Sequence, residues 1–534
     1  MEGDGALGPA ACSEKELRVT GGLKDLEAPQ LENVERFIVD KVELQPGDLE
    51  PLRACTRLVS LQLEECEGVC DLSPVAALTL LEDVHVEVWG EIKNFSAITA
   101  LPCLKRLHVI YETTDAGVAQ ELRHVRTLEE VSLRHVPAAD AAEGIAGLPL
   151  LHSLSLGATD LTDDRLRYLT ACKRLKSLLL NGCSGLTDVS PLAEIPSLEQ
   201  VEVHWCDTVD RGVGEMGRLP RLCTLELTDL LIKGEDLVGL RASKTLKRLV
   251  IGQCINVTDV SHVAEIATLE ELVVHPPREI RVVGVGPLGR LPRLRKLDVD
   301  RASLSETDVR ELGASGSIEE LELSAVNSLI DLSHLSRSTS LLVLGVGGLK
   351  CSVCGVGAVC GLPRLREFSL CHVRVNEDPV QTVGPSASLV KLSLVKCTGI
   401  TDVSFVGYFH ALEVVVIDQC KSICRGVGAL GGLPRLRELQ LRNIGVTTES
   451  LQSLSASKGL VRLEIERCRS LVDLSVIGKI VTLQELTLVG WSKELAGVEA
   501  LTELPCLRHI ALKDVPGTKD VLEALRAKGV QLLP

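Results

Sequence analysis

Large aromatic rings are scarce in this sequence. Among 534 residues there are 5 Phe, 3 Tyr and 3 Trp, and only 2 Met, although 45% of the chain is hydrophobic. The apolar content is therefore almost wholly aliphatic. That excludes propellers built on a recurring Trp. It also excludes the aromatic platforms on which RNA-binding sheets and single-strand channels stack bases. A disordered chain would not carry so much aliphatic residue. Positive charge is in deficit as well. Lys and Arg number 57 against 73 Asp and Glu, a net −16, so the average surface repels a phosphate backbone and nucleic acid is not the expected partner. No run approaches the ~18 apolar residues of a membrane helix. The opening MEGDGALGPAACSEKEL has no basic or apolar leader pattern, and the ending VQLLP has no lipid-attachment pattern. The expectation is an intracellular chain, cytoplasmic rather than nuclear, with no membrane contact.

What is abundant is a repeat. The pattern L-x-x-L-x-L starts at Leu58, Leu81, Leu104, Leu128, Leu151, Leu175, Leu198, Leu222, Leu246 and Leu269. It continues at Leu294, Ile318, Leu341, Leu365, Leu389, Leu412, Leu436, Leu460, Leu483 and Leu507, so there are 20 starts separated by 23 to 25 residues. Another copy at Val34, with Phe37 and Val39, keeps the phase, and a degraded one lies near Leu17 and Val19. A short alternating strand of this kind points its marker residues inward and the intervening ones outward. One unit cannot bury its own apolar edge, whereas stacked units share a continuous aliphatic core. Such a slot, alike from coil to coil, is expected to take Leu, Ile, Val and Cys and to reject rings.

A longer period overlies the first. Some repeats carry a Cys and then a turn, as in NGCSGLTDVSPLAEIPSL after Leu175. The next carry a Gly-rich arc ending in Leu-Pro, as in RGVGEMGRLPRL. The third kind carries a segment expected to be a short helix, as in ETDVRELGASGSI. The first kind recurs at 175, 246, 318, 389 and 460, in steps of 71 or 72, which reads as duplication of a three-repeat block.

In period and strand pattern the chain resembles the leucine-rich repeat family. The TDVSPLA-type turns, the Cys at position nine and the Gly-rich arcs in triplets resemble the leucine-rich repeat proteins of trypanosomes, over about residues 34–530. The resemblance implies an α/β solenoid. It would be a curved array of about 21 repeats, with a parallel sheet on the concave face and short helices, 3-10 turns and Gly-rich turns on the convex face. The expected organisation is a flexible N-terminus at 1–13, N-terminal capping repeats at 14–57, the solenoid at 58–506 and a C-terminal capping repeat at 507–534. Some relatives carry a zinc-binding RING module ahead of the repeats. Here Cys12, Cys55, Cys66 and Cys70 contain no C-x2-C pair, so ligase chemistry does not carry over.

Several motifs imitate chemistry. G-x-G-x-x-G occurs at Gly212–Gly217, Gly284–Gly289 and Gly426–Gly431, as a dinucleotide fingerprint would. The strings keep the block phase, and Gly355 begins a fourth copy broken by Cys360, so convex turns that need glycine explain them better. Seven Cys share position nine, namely Cys66, Cys183, Cys206, Cys254, Cys397, Cys420 and Cys468, and read as buried thiols bonded to the turn backbone. Cys351 and Cys354, near Cys360 and Cys371, form the one C-x2-C pair, which could hold half of a zinc site, but the aligned positions of other Gly-rich repeats are not Cys pairs and buried or partly exposed thiols are the expected reading. His85 and His108 occupy one position on neighbouring repeats and are expected to stack. They and His204 and His275 read as solvated surface residues. No catalytic set, cofactor or metal site is expected.

Positions three, five and seven should line the concave face, where 17 acids face 8 bases. Two acidic clusters stand out, Asp298, Asp300, Glu320 and Glu322, and Glu438, Glu464, Glu466 and Glu485. Trp89, Trp205 and Trp491 sit at position eight or nine, at the strand's exit, and are candidate anchors for a partner. The expected function is a non-enzymatic scaffold that binds a basic segment of a protein partner through the acidic face. The alternative is a regulatory or substrate-recognition subunit of a multiprotein enzyme such as a ubiquitin ligase or phosphatase.

Overall fold

In a computed structural model, residues 15–21, 23, 31–111, 120–136, 138–377, 383–491 and 493–533 are described. The segment 1–13, expected to be flexible, lies outside them. The chain divides into two compact units, Met1–Val257 and Thr258–Pro534.

Each unit repeats one construction. The first holds twelve strands among the described residues and the second thirteen. Each main strand takes positions three to seven of a repeat, as in Gln200–His204 and Lys296–Asp300. It pairs, parallel and in register, with the strand one repeat away, so that Val201 faces Leu225 and Leu297 faces Leu321. Strictly sequential parallel pairing, with a short connection between partners, is the topology of a solenoid. Alternation follows from the strand's period of two. Positions four and six are buried while three, five and seven remain partly exposed, as in the two strands named. Position one is buried behind the strand in nearly every repeat.

The return path is built from 3-10 and short α-helices. Of the three segments expected to be helical, Glu306–Gly313 is an α-helix capped by Ser305, whose hydroxyl accepts from the Asp308 amide. Gly234–Ala242 is 3-10 throughout, and Thr448–Leu451 begins as α-helix and tightens to 3-10 over Gln452–Ala456. Hydroxyls tie coil to coil just before the marker position. Thr127, Ser197, Thr245, Ser340 and Thr482 each donate to the position-one carbonyl of the preceding coil, at 2.6 to 2.8 Å.

The expectation that the slot rejects rings is wrong. Phe37 and Phe368 occupy position four of their strands and are fully buried, and Phe405 and Phe409 pack edge to face within one turn. The slot accepts a ring where the neighbouring coils repack around it.

One conformational feature escaped the sequence pattern. Position eight lies in the left-handed region in most repeats, whatever its side chain: Glu65, Trp205, Gln253, Lys396 and Asn443 all have φ between 47° and 52°. The strand ends there, but the turned residue's amide still reaches the next coil. The Trp205 amide donates to the Thr228 carbonyl and that of Lys396 to Asp418.

Candidate functional site

The glycine strings come first, because they resemble a nucleotide site. Gly212, Gly284 and Gly426 have φ of 94°, 78° and 87°. Each sits on the turn of the preceding coil, where the Asp of an Asp-x-Ser turn accepts the Ser amide at 2.8 Å (Asp188 with Ser190, Asp259 with Ser261, Asp402 with Ser404). A Cβ at Gly212 would lie 2.2 Å from the Ser190 amide nitrogen, and one at Gly426 equally close to that of Ser404. The last glycine of each string meets the following coil. A Cβ at Gly217 would lie 2.3 Å from the Gly239 carbonyl, and one at Gly431 lies 2.1 Å from that of Ser453. The strings are coil-to-coil contacts and leave no room for a phosphate.

The cysteines are structural too. All seven position-nine thiols are buried and point at the position-six carbonyl of the preceding coil. Cys397 reaches Leu370 O at 3.3 Å and Cys420 reaches Leu394 O at 3.4 Å. Burial pushes the Cys254 thiol up to about 12 and that of Cys468 up to about 11, so neither is a nucleophile near neutral pH. Contact with Cys183, together with burial, pushes the Cys206 thiol up. Cys351 and Cys354 lie three apart on one strand, Val343–Cys354, and so on opposite sides of it. They do not form half of a zinc site.

The histidines depart from a uniform solvated reading. His85 and His108 do stack, with centroids 4.3 Å apart and planes 3° off parallel. Burial pushes the His108 imidazole down to about 4, with help from His85. His275 bonds Asp298 at 3.2 Å, and that hydrogen bond raises its pKa. His204 Nε2 is shielded and has no hydrogen-bond partner. It converges with Glu202 and Glu226, the three ligand atoms lying within 4.8 Å of one another, the one such trio among the described residues. Gln200 donates to Glu202 at 2.6 Å, and Arg248 Nε reaches Glu226 at 3.2 Å. Those carboxylates are therefore already engaged.

Strand register sorts the two acidic clusters. At position three, Glu438, Arg462 and Glu485 lie side by side, with Arg462 3.6 Å from Glu438 and 2.6 Å from Glu485. Arg442 stands 2.7 Å from Glu464 and 3.8 Å from Glu466. The Glu438, Glu464, Glu466 and Glu485 cluster is thus partly offset within the chain, two arginines lying among its four carboxylates. In the other cluster, Glu320 faces Lys296 and Asp300 faces Ser324. Only Asp298 and Glu322 stand opposite each other as acids. Asp298 is held by His275, and Asp300 lies 3.4 Å from Arg301. Among the described residues, no cation lies within 4 Å of Glu322. Its carboxyl is raised above the usual range by burial first and then by Asp298, Glu320 and Glu367. Gly345, on the next strand, makes room for it, since a Cβ there would overlap the Glu322 carboxylate.

The three tryptophans differ. Trp89 is 45% exposed in the strand Asp83–Lys93, and Trp205 is 56% exposed, edge-on to His204. Trp491 is only 6% exposed, with an unpartnered Nε1. It packs in the turn and offers no surface to a partner.

A parallel sheet of aliphatic strands, one per 23 to 25 residues and each paired with the next repeat, decides the fold. The chain is a leucine-rich repeat protein. No family model matches this leucine-rich repeat sequence. A chain of the mouse RP105/MD-1 complex is similar at 14% identity, covering 90% of each chain, with a TM-score of 0.54. The Leptospira interrogans LRR protein LIC12759 is 15% identical over 78% of this chain and 92% of its own, with a TM-score of 0.49. A Trypanosoma equiperdum protein named "Putative adenylate cyclase regulatory protein" is 27% identical over 194 residues. That stretch is 36% of this leucine-rich repeat chain and 30% of the relative's length.

Proposed function

We propose that this leucine-rich repeat protein is a non-enzymatic scaffold that takes a basic segment of a protein partner on the strand face around Glu322. The observation that carries this reading is the acid pair Asp298 and Glu322, set opposite each other with no cation within 4 Å of Glu322 among the described residues. Like charges directly opposite on a sheet cost stability. A Lys or Arg side chain from a partner relieves that cost, and Asp300 and Glu320 flank the place where it would sit. The exposed rings of Trp89 and Trp205 add candidate anchors in the other unit. An intracellular location is part of this reading.

The test combines a variant with a map of contacts. Asp298→Lys, Asp300→Lys, Glu320→Lys and Glu322→Lys together should abolish recovery of the partner and remove its salt dependence. Crosslinks from the wild-type complex should cluster on the strands Lys296–Asp300 and Glu320–Ser324. Unchanged recovery by the variant sinks the reading.

A second reading is a regulatory or substrate-recognition subunit of a multiprotein enzyme. The similarity to the Trypanosoma equiperdum protein, named for adenylate cyclase regulation, favours it. It requires co-purification with a catalytic chain at fixed stoichiometry, and recovery of non-enzymatic partners alone rejects it.

A further inference from the structure

The strand-entrance edge of the second unit carries charge of the opposite sign. Three of its Gly-rich arcs end in Leu-Pro-Arg-Leu-Arg, which places Arg293 and Arg295, Arg364 and Arg366, and Arg435 and Arg437 in pairs 71 residues apart. Arg508 occupies the same place 71 residues on. All seven side chains are exposed, and none has a carboxylate within 4 Å among the described residues. This contrasts with the strand face, where Arg442 and Arg462 are paired. The backbone holds the arginines in place. The Arg366 amide donates to Leu342 O, while its carbonyl accepts from the Val390 and Lys391 amides, and Arg437 is bound likewise between Glu413 and Val461.

Successive pairs stand three coils apart, ~14 Å at the usual strand spacing. Between them run two adjoining hollows of about 680 and 390 Å³ that share Arg435. Leu342, Val390 and Ala411 line the larger beside Ser388, and Pro434 and Val461 the smaller beside Glu413, so apolar ground adjoins the charges.

We propose that this edge binds an extended acidic segment of a protein, with its carboxylates on successive arginine pairs and apolar residues in the hollows between. Guanidinium groups bind carboxylates bidentately. An extended chain covers ~14 Å in about four residues, so acids at a spacing near four match the pairs. The occupant is protein rather than nucleic acid for two reasons. Glu413 lies in the smaller hollow and opposes an unbroken line of phosphates, and the net charge of −16 opposes a polyanion as a whole. This proposal does not rest on the basic-segment reading above, since it concerns a different edge and a partner of opposite charge.

The experiment is fluorescence anisotropy on the full chain, with a labelled peptide of about sixteen residues that carries Glu at every fourth position and Ala or Leu between, long enough to span three pairs, and a labelled oligouridine as comparison. The wild type should bind the peptide in a salt-sensitive way. The variant Arg364→Glu, Arg366→Glu, Arg435→Glu, Arg437→Glu should bind at least ~10-fold more weakly. Its neutral counterpart with Gln at the same four positions should fall between them, and guards against a folding defect in the reversal. The control Lys421→Glu, Lys479→Glu, Arg469→Glu, Arg526→Glu, on exposed bases of the same unit away from this edge, should bind like wild type. No binding by the wild type, equal loss in the control, or tighter binding of oligouridine than of the peptide overturns the proposal.

Discussion

A methyl group at Gly212 would sit 2.2 Å from the Ser190 amide nitrogen, on a backbone with φ of 94°. Gly432, in the Gly-rich arc that begins at Gly426, has nothing within 4 Å and no positive φ. Gly212→Ala should therefore lower stability by at least ~2 kcal/mol, combining left-handed strain with a backbone clash. Gly432→Ala should change it by less than ~0.5 kcal/mol, as exposed substitutions usually do. Thermal unfolding followed by circular dichroism checks both, and equal shifts would show that the coil-to-coil contact is not what the glycine serves. The sequence marked these glycines as structural through their block phase. It did not say what they touch, because their partner turn lies one coil earlier in the chain. The position-eight conformation was less legible still. Asn443, Gln253, Lys396 and Trp205 share φ near 50° but no common chemistry, so no residue preference marks the place.

At the scale of a strand pair, Glu322 is the informative residue. Its folded-state pKa is raised by burial and by neighbouring carboxylates, so the folded state binds more protons than the unfolded one as pH climbs above the ordinary carboxylate value. Stability contributed by this group is consequently lost as pH rises through that window, the reverse of the usual paired carboxylate. Glu322→Gln should raise stability at neutral pH by several tenths of a kcal/mol, and the gain should vanish once the solution is acid enough to protonate Glu322. Thermal midpoints across a pH series measure this. A gain independent of pH would assign the effect to packing against Gly345. Glu485 behaves oppositely. Its pKa is lowered by the hydrogen bond from Arg462, so its contribution is present above the unfolded value and is lost on acidification. Glu322 stands at position five of its repeat and Glu485 at position three, both on the outward side of a strand. What separates them is whether the neighbouring strand brings an arginine, which register alone determines.

At the scale of the whole molecule, each repeat contacts the repeats beside it, and among the described residues the main strands pair with those of adjacent repeats. Stability in such an array is close to a sum of repeat and nearest-neighbour terms. Unfolding of a 534-residue chain of this kind should depart from two-state behaviour. Differential scanning calorimetry should return a van't Hoff enthalpy well below the calorimetric one. Agreement of the two would point to longer-range coupling that the strand pairing does not provide. The scarcity of rings also belongs to this scale. Most coils stack aliphatic residues on their like, but Phe37 and Phe368 show that a ring is accommodated at single strand positions.

The sequence by itself determined the repeat, the inward and outward faces of each strand and the buried role of the position-nine cysteines, because these follow from periodicity and each repeat restates them. The arginine row was also legible, in Leu-Pro-Arg-Leu-Arg every 71 residues. Tertiary structure alone decided which charges meet. Arg462 lies beside Glu438 and Glu485, Asp298 beside Glu322, and the entrance arginines within 4 Å of no carboxylate among the described residues. These neighbours are some 23 to 25 residues apart in sequence, and side-chain reach selects the partner from within and across coils. Burial likewise separated Trp491 from Trp89 and Trp205, since exposure at a strand exit depends on how the adjoining turn folds over it.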